Sequence, residues 1–486
     1  MSSTFGGLNT AASGLYAAQR GLDVTGQNVS NVNTDGYSRQ RVDLRSVGAS
    51  PVPAIWSTSD GIGGGVDFDD VSRITDQFLT ARAQVEHGKN SQLTAEDDAL
   101  TQIQQAFNEP TSGSGISTQL TDMWNAWQTL ANNPTTAAGT ALLSTTQTLV
   151  DGLNATRAAL GTQWTDTRSN LQSVVDDANS TASDIAKLND AIQRATQSGQ
   201  QANELLDQRD QLVLKLADSM GATSQSAANG MVNVVIGGIS LVSGTTSASL
   251  ALAGGTDFGT PVANTPGASP AYFLPSPQIV TSTGGGTVTA GGTAGGYLNA
   301  LTKLVPDYAG QLDAFASHLA GQLNGALQAP GTYDGNTPPA TGSAVKQMFV
   351  SSDPTKPITA ATITLNITDP KDIATSKVAP VNGTTSVDGS NADAIAQLGT
   401  APGSPDSAYR AMIVKLGVQA SSTSNNLQIQ STVTSTVDNN RESVSGVDID
   451  EEMTNMLSFQ HAYSAAAQLI STINKNLDAL MSMVGN

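Results

Sequence analysis

The sequence predicts a mainly α-helical chain with a β-rich insertion: long terminal helices forming a coiled-coil-like region, a helical-bundle body and a smaller outward β domain. Three observations predict it. Both ends carry apolar residues at alternating steps of three and four, the signature of helices packed side by side. Residues 71–216 keep helical spacing almost throughout. From 219 to 302 the only charged residue is Asp257, and short β-branched runs alternate with Gly, Ser and Thr clusters.

The first helix is marked by Phe5, Leu8, Ala12, Leu15, Leu22 and Val29, with Gln19 and Gly26 interrupting the seam. A run of Asn, Thr, Asp and Gly ends it, residues that tolerate left-handed and turn geometry. A short β region follows. Val42 and Leu44 alternate with Arg41, Asp43 and Arg45, and Val66 and Phe68 flank Asp67. Between them residues 60–65 (DGIGGG) read as a turn; no strand–loop–helix frame and no Lys-Ser/Thr make it a phosphate loop.

In the body, Ile116, Leu120, Met123, Trp127 and Leu130 mark a helix stopped by Asn132-Asn133-Pro134. A longer pattern runs through Leu142, Leu149, Leu153 and Leu160, then Trp164, Leu171, Val174, Ala178, Ile185, Leu188 and Ile192. Its step from Leu160 to Trp164 resembles a coiled-coil stutter, and Gly152 and Gly161 weaken the case for one unbroken helix. The runs 232–236 and 239–242 read as strands. Helical spacing returns at Leu301, Val305, Tyr308, Leu312, Phe315, Leu319 and Leu323, a second β-like stretch covers 348–367, and a helix covers 407–437.

The closing helix carries Ile449, Met453, Met456, Tyr463, Ala467, Ile470, Leu477, Met481 and Val484, interrupted by Gln460 and Asn474. Asp448 is a credible N-cap with Glu451 placed as in a capping box, and Asp450, Glu451 and Glu452 suit the positive end of the macrodipole. At 1.5 Å per residue this helix is about 54 Å long. An apolar stripe of that length invites a partner, either the N-terminal stripe of the same chain or a neighbouring subunit. The resulting segments are terminal helices at 1–47 and 445–486, a helical body with a short β-hairpin at 48–217, 297–328 and 404–444, and the β-rich insertion at 218–296 and 329–403.

Composition narrows function by exclusion. A chain of 486 residues implies two to four domains, and only 13% of it is charged and 4% aromatic. The net charge of −19 repels nucleic acid, and no Lys/Arg run offers a local exception. With no cysteine, disulfides and thiol chemistry are out, and His87, His318 and His461 have no ligand-like spacing. The expectation is therefore no catalytic, cofactor or metal site. The first ten residues lack the basic start and apolar stretch of a secretion signal, and no window approaches the roughly 20 apolar residues of a membrane span.

Ala12-Ser13-Gly14-Leu15 followed by Asn28-Val29-Ser30-Asn31-Val32-Asn33-Thr34-Asp35-Gly36-Tyr37 resembles the N-terminal signature of the flagellar rod, hook and hook-associated axial proteins. Residues 445–453 and Phe459-Gln460-His461-Ala462-Tyr463-Ser464-Ala465 are similar to the closing helix of the same superfamily. Inside the chain, Gly36-Tyr37-Ser38-Arg39-Gln40, residues 126–134 (AWQTLANNP) and residues 206–212 (LDQRDQL) resemble the hook-associated protein 1 family. That likeness covers roughly 1–217 and 404–486. It implies a non-enzymatic structural subunit joining the hook to the filament, exported through the flagellum's own channel without a cleaved signal. Its implied partners are the hook protein, a second hook–filament junction protein, copies of itself in a helical tube, and an export chaperone at the C-terminal helix. Leu8, Leu15, Leu22, Asn28, Asn31, Gly36, Tyr37, Met453, Met456, Tyr463, Ile470 and Leu477 are the expected assembly seam.

Two other readings stay open at this level. One is a distal rod or hook subunit, against which the helical middle argues. The other is an axial protein with an enzymatic insertion at 218–400, where no Ser/His/Asp set or metal spacing stands out. If the β-rich run is an outward insertion, replacing residues 222–294 with a short linker should leave the helical pairing intact.

Overall fold

The computed structural model describes residues 4–48, 63–109, 115–259, 276–379 and 388–484. It begins with helix α1 (Thr4–Ser30), strands β1 (Gln40–Val47) and β2 (Gly65–Arg73), and helices α2 (Gln77–Phe107), α3 (Ile116–Asn132), α4 (Thr136–Gln197) and α5 (Asn203–Met220). Strands β3 (Thr223–Ser226), β4 (Val232–Ile236), β5 (Ile239–Ser243), β6 (Thr246–Ser247), β7 (Leu250–Ala253), β8 (Gln278–Thr281) and β9 (Thr287–Val288) follow. The chain ends with α6 (Gly292–Asn299), α7 (Val305–Leu327), β10 (Phe349–Ser351), β11 (Ile363–Leu365), α8 (Ser390–Ala396), α9 (Pro405–Ser445) and α10 (Ile449–Val484). No helix among the described residues is long and apolar enough to cross a membrane. The fold is mainly α with small β insertions. Of the expected turn at 60–65, residues 60–62 lie outside the described residues.

Two compact units result. One gathers 1–88, 179–248 and 431–486, the other 89–178 and 249–430. This division cuts across the sequence-level segments. The β-rich residues 218–248 belong to the unit that holds the termini, whereas 249–296 and 329–403 belong to the second.

In the first unit α1 packs on α10 and on the antiparallel β1–β2 hairpin. Strands β3, β4, β5 and β6 form one antiparallel sheet in sequence order. Its inward side chains Val232, Val234, Ile236, Leu241 and Val242 are buried. The end of α4 lies against this sheet through a buried polar contact. Asn189 accepts the Val232 N–H at 3.2 Å and donates to the carbonyls of Val232 at 2.8 Å and Gly244 at 2.7 Å. Burying a side-chain amide is tolerable only with such partners.

The second unit holds most of the aromatic core. α4 runs unbroken through Gly152 and Gly161, so neither glycine stops it. Tertiary packing outweighs a propensity cost of about 1 kcal/mol per glycine. Leu160 and Trp164 are both fully buried, and Thr156, Arg157, Gln163 and Thr167 fill the inward positions between apolar steps. All seven apolar positions expected from Leu301 to Leu323 are buried. Between α6 and α7 the helix widens to a π turn at Ala300–Leu304, and the Trp164 indole donates to the Leu301 carbonyl at 3.0 Å. Trp164→Phe keeps most of the ring but leaves that carbonyl unpartnered. A loss of about 1–3 kcal/mol is expected in chemical denaturation.

Also in this unit, Arg157 and Asp313 form a buried ion pair at 3.3 Å. Asp313 further accepts the Ala360 N–H at 3.0 Å, and Arg157 lies over the Phe258 ring at 4.5 Å. Both charges are thus satisfied within the core, as burial requires.

Candidate assembly site where the chain termini meet

The terminal helices run antiparallel in one register. Gly7 faces Ile473, Gly21 faces Phe459, and Asn28 faces Glu452. The steps are two heptads and then one along both helices, a register that places Gly14 opposite Ala466. Glycine allows this approach. A β-carbon on Gly21 would lie 2.4 Å from the Phe459 ring. Gly21→Leu must push the helices apart or displace Phe459, a cost of about 1–3 kcal/mol by overpacking. Adding Phe459→Ala should recover part of it, a coupling that a double-mutant cycle on unfolding free energy reads directly.

The heptad ends in a polar node. Asn28 is 1% exposed and uses every hydrogen-bonding position of its amide. It donates to the Gln40 carbonyl at 2.9 Å and to Glu452 at 3.0 Å, and accepts from the Gln40 N–H at 3.0 Å and the Tyr37 hydroxyl at 2.9 Å. Helix α1, the turn, strand β1 and α10 therefore converge on one side chain. Glu452, 2% exposed, is neutralised by the Arg39 guanidinium at 2.8 Å. Arg39 also pairs with Glu451, while its backbone N–H reaches the Ser445 carbonyl at 2.8 Å. Burial, then the charges of Asp207, Glu452 and Glu204, push the Tyr37 hydroxyl up to about 12. It stays protonated, and a donor, at any ordinary pH.

Asp448 caps α10 as expected, accepting the N–H of Asp450 at 2.8 Å and of Glu451 at 3.3 Å. The reciprocal half of a capping box is replaced by a tertiary contact, because the Glu451 carboxylate goes to Arg39.

Helix α5 fastens the turn from the other side. Asp207 accepts the Ser38 N–H at 3.2 Å and contacts Arg73 at 2.9 Å as an ion pair poorly aligned for hydrogen bonding. Burial raises the Asp207 carboxyl above its ordinary value, against the opposing charge of Arg73. Asp210 bridges Arg73 at 2.7 Å and Arg209 at 2.8 Å, and Arg209 donates to the Gly230 carbonyl at 2.7 Å. Gln211 donates to the Asp35 carbonyl. The motif at 206–212 is therefore a latch on the N-terminal turn. Gly36 has φ +75°, and a β-carbon there would collide with the Gln211 amide. Gly36→Ala is expected to cost about 1–2 kcal/mol from the left-handed backbone alone, read in chemical denaturation.

A polar cleft of about 580 Å³ opens here, lined by the 31–38 turn, Arg73, Asp207, Asp210 and the end of α9. Among its lining groups Arg73, Asp207 and Asp210 are already paired with one another. Their pairing ties β2 to α5 beside the turn.

The structure distributes the expected seam residues unequally. Asn28 is buried; Leu8, Leu15, Leu22, Asn31 and Tyr37 are half-buried; Gly36 is exposed. On α10, Met456, Ile470 and Leu477 are half-buried, whereas Met453 is 47% and Tyr463 38% exposed. The positions buried along α1 are Ala11, Ala17, Ala18, Gly21, Val24, Thr25 and Asn28. Sequence reasoning followed large apolar residues and missed this face. The available signal was the heptad Gly7, Gly14, Gly21, Asn28.

Comparison with known proteins gives the same picture from end to end. Residues 100–340 match the family model described as the flagellar hook-associated protein FlgK helical domain. Residues 8–37 match that of the flagella basal body rod protein, and 439–483 that of the flagellar basal body rod FlgEFG protein C-terminal region. The flagellar hook-associated protein 1 of Bacillus subtilis is 28% identical over 525 aligned positions, covering 100% of this chain and 99% of the relative. That of Escherichia coli is 28% identical, covering 98% and 99%. The structure of the flagellar hook junction protein FlgK from Burkholderia pseudomallei has the same fold, with a TM-score of 0.59 at 18% identity over 75% of this chain and all of that one. From its terminal signatures to its helical middle, the chain is similar to the flagellar hook-associated protein 1 family.

Proposed function

We propose that this protein is a structural subunit of the bacterial flagellum that joins the hook to the filament. The observation that carries the reading is the end-to-end match to hook-associated proteins 1, which takes in both terminal helices and the latch between them. The partners are the hook protein on one side, the second junction protein on the other, and copies of itself around a tube. Repeating contacts of this kind are heterologous and need two different surfaces per subunit. One is the face of α10 turned away from α1. On α10 Ile449, Met453, Leu457, Tyr463 and Leu469 stand exposed, apolar surface unsuited to remaining in water. The expected seam residues Leu8, Leu15 and Leu22 on α1 and Met456, Ile470 and Leu477 on α10 are half-buried in the single chain. The subunit leaves the cell through the flagellar channel without a cleaved signal, and an export chaperone holds the C-terminal helix beforehand.

Deletion of the gene should leave cells with hooks, no filaments, and flagellin monomers in the medium. The wild-type chain should restore filaments, and Leu477→Asp should be made and secreted yet fail to do so. Filaments on the deletion strain would refute the reading. Filaments in the Leu477→Asp strain would refute only the seam.

A further inference from the structure

His87 of α2 stands between two carboxylates from other helices of the first unit. Its Nδ1 lies 3.1 Å from Asp218 Oδ1 on α5, and its Nε2 lies 3.0 Å and 3.2 Å from the two oxygens of Asp438 on α9. The ring is 22% exposed. The helices are held close beside it. A β-carbon on Gly88 would sit 3.0 Å from the Ala217 carbonyl, and Thr434 donates to the Glu86 carbonyl at 3.3 Å.

This geometry restricts protonation. Ionised carboxylates only accept hydrogen bonds, and a neutral imidazole carries one N–H and one lone pair. A neutral ring can therefore satisfy one aspartate and must turn its lone pair toward the other. The imidazolium donates to both. Besides these groups, Arg441 on α9 reaches Asp438 at 3.7 Å, and Glu86 and Lys89 flank the ring on α2 itself.

We propose that His87 is a proton-operated clasp that fastens α2 to both α5 and α9 while doubly protonated, and that releases one of them when its second proton passes to solvent. The hydrogen bond to Asp218 holds the imidazole above its ordinary value, burial opposes this, and the charge of Asp438 adds to it. The sign follows. A raised folded value makes the clasp fully effective below about pH 6.5, the unfolded histidine value, and progressively lost as pH rises through the folded one.

The test is a ring-nitrogen titration of His87 by NMR in the full ¹⁵N-histidine-labelled chain, with His318→Gln and His461→Gln for assignment. The expected midpoint lies above about 6.5, with both nitrogens protonated below it, and moves down in Asp438→Asn and in Asp218→Asn. A midpoint at or below about 6.5 overturns the proposal. In parallel, the melting temperature of His87→Gln is compared with wild type from about pH 6 to 9. The deficit of the variant should shrink as pH rises, and a constant deficit counts against the clasp. If His87→Gln does not fold, the wild-type titration alone decides.

Discussion

Glu452→Ala should cost about 1–3 kcal/mol, the penalty for leaving the buried Asn28 amide without its acceptor while Arg39 keeps only Glu451. The carboxylate neutralises Arg39 and accepts from Asn28, and both would lose it inside a closed site. Glu452→Gln keeps an acceptor oxygen without the charge, so it should fall between wild type and alanine. Amide exchange across α1, β1 and the first turns of α10 reads the effect where it arises. A whole-chain melt is less direct, since two compact units need not unfold in one step. In Glu452→Ala these amides should exchange much faster while α7 keeps its protection. Unchanged exchange around Asn28 would mean that the node does not hold the termini together. Assembly should suffer in parallel, because the node fixes which heptad of α10 faces which heptad of α1. Buried polar residues at one seam position are well attested in this registry role.

What was legible in the sequence divides along physical lines. Large apolar residues at helical spacing located nearly every long helix, because burying them is the dominant favourable term in folding. The Leu301–Leu323 stripe is buried without exception. The same habit misled wherever small or polar residues take inward positions. On α4, Val175 and Asn189 are buried where Val174 and Leu188 were expected; both of the latter are only half-buried. The neighbouring expected positions Ala178, Ile185 and Ile192 are buried, so the frame holds and the inward face widens to take in Asn189, which bonds the backbone of β4, a contact that sequence spacing does not encode. On α1 the tight approach of the Phe459 ring is to Gly21, and the apolar signal of glycine is nil. The node was legible only in part. Asn28, Gly36 and Tyr37 stood out through the family signature, yet their partners Glu452, Asp207 and Gln211 lie far along the chain. The cap at Asp448 was visible because capping is local. The diversion of Glu451 to Arg39 was not, because it is tertiary.

The expectation for the β-rich run changes most. An outward insertion could be replaced by a linker at small loop-closure cost, but the structure gives residues 222–294 work inside both units. In the first unit Val232, Val234, Ile236, Leu241 and Val242 are buried, and each contributes roughly 1.5–3 kcal/mol. Together that is on the order of 10 kcal/mol, an upper figure because unfolded chains already bury some surface. It is comparable with the whole stability of a typical domain, about 5–15 kcal/mol. The polar side adds to the loss. Replacing the strands would strip Asn189 of its hydrogen bonds to Val232 and Gly244 and Arg209 of the Gly230 carbonyl, leaving these groups to be resolvated or unsatisfied. Leu250, Ile279, Val288 and Ala294 would be lost from the second unit as well. Replacing residues 222–294 is therefore expected to abolish the cooperative melt. A narrower replacement of 223–247 separates the contributions, since those residues all belong to the first unit. It should erase amide protection in α5 and the end of α4 while the helices of the second unit, α7 above all, remain protected. Full protection of α5 in that variant would show that the sheet is dispensable after all. The terminal latch could then be anchored by α5 without the strands behind it.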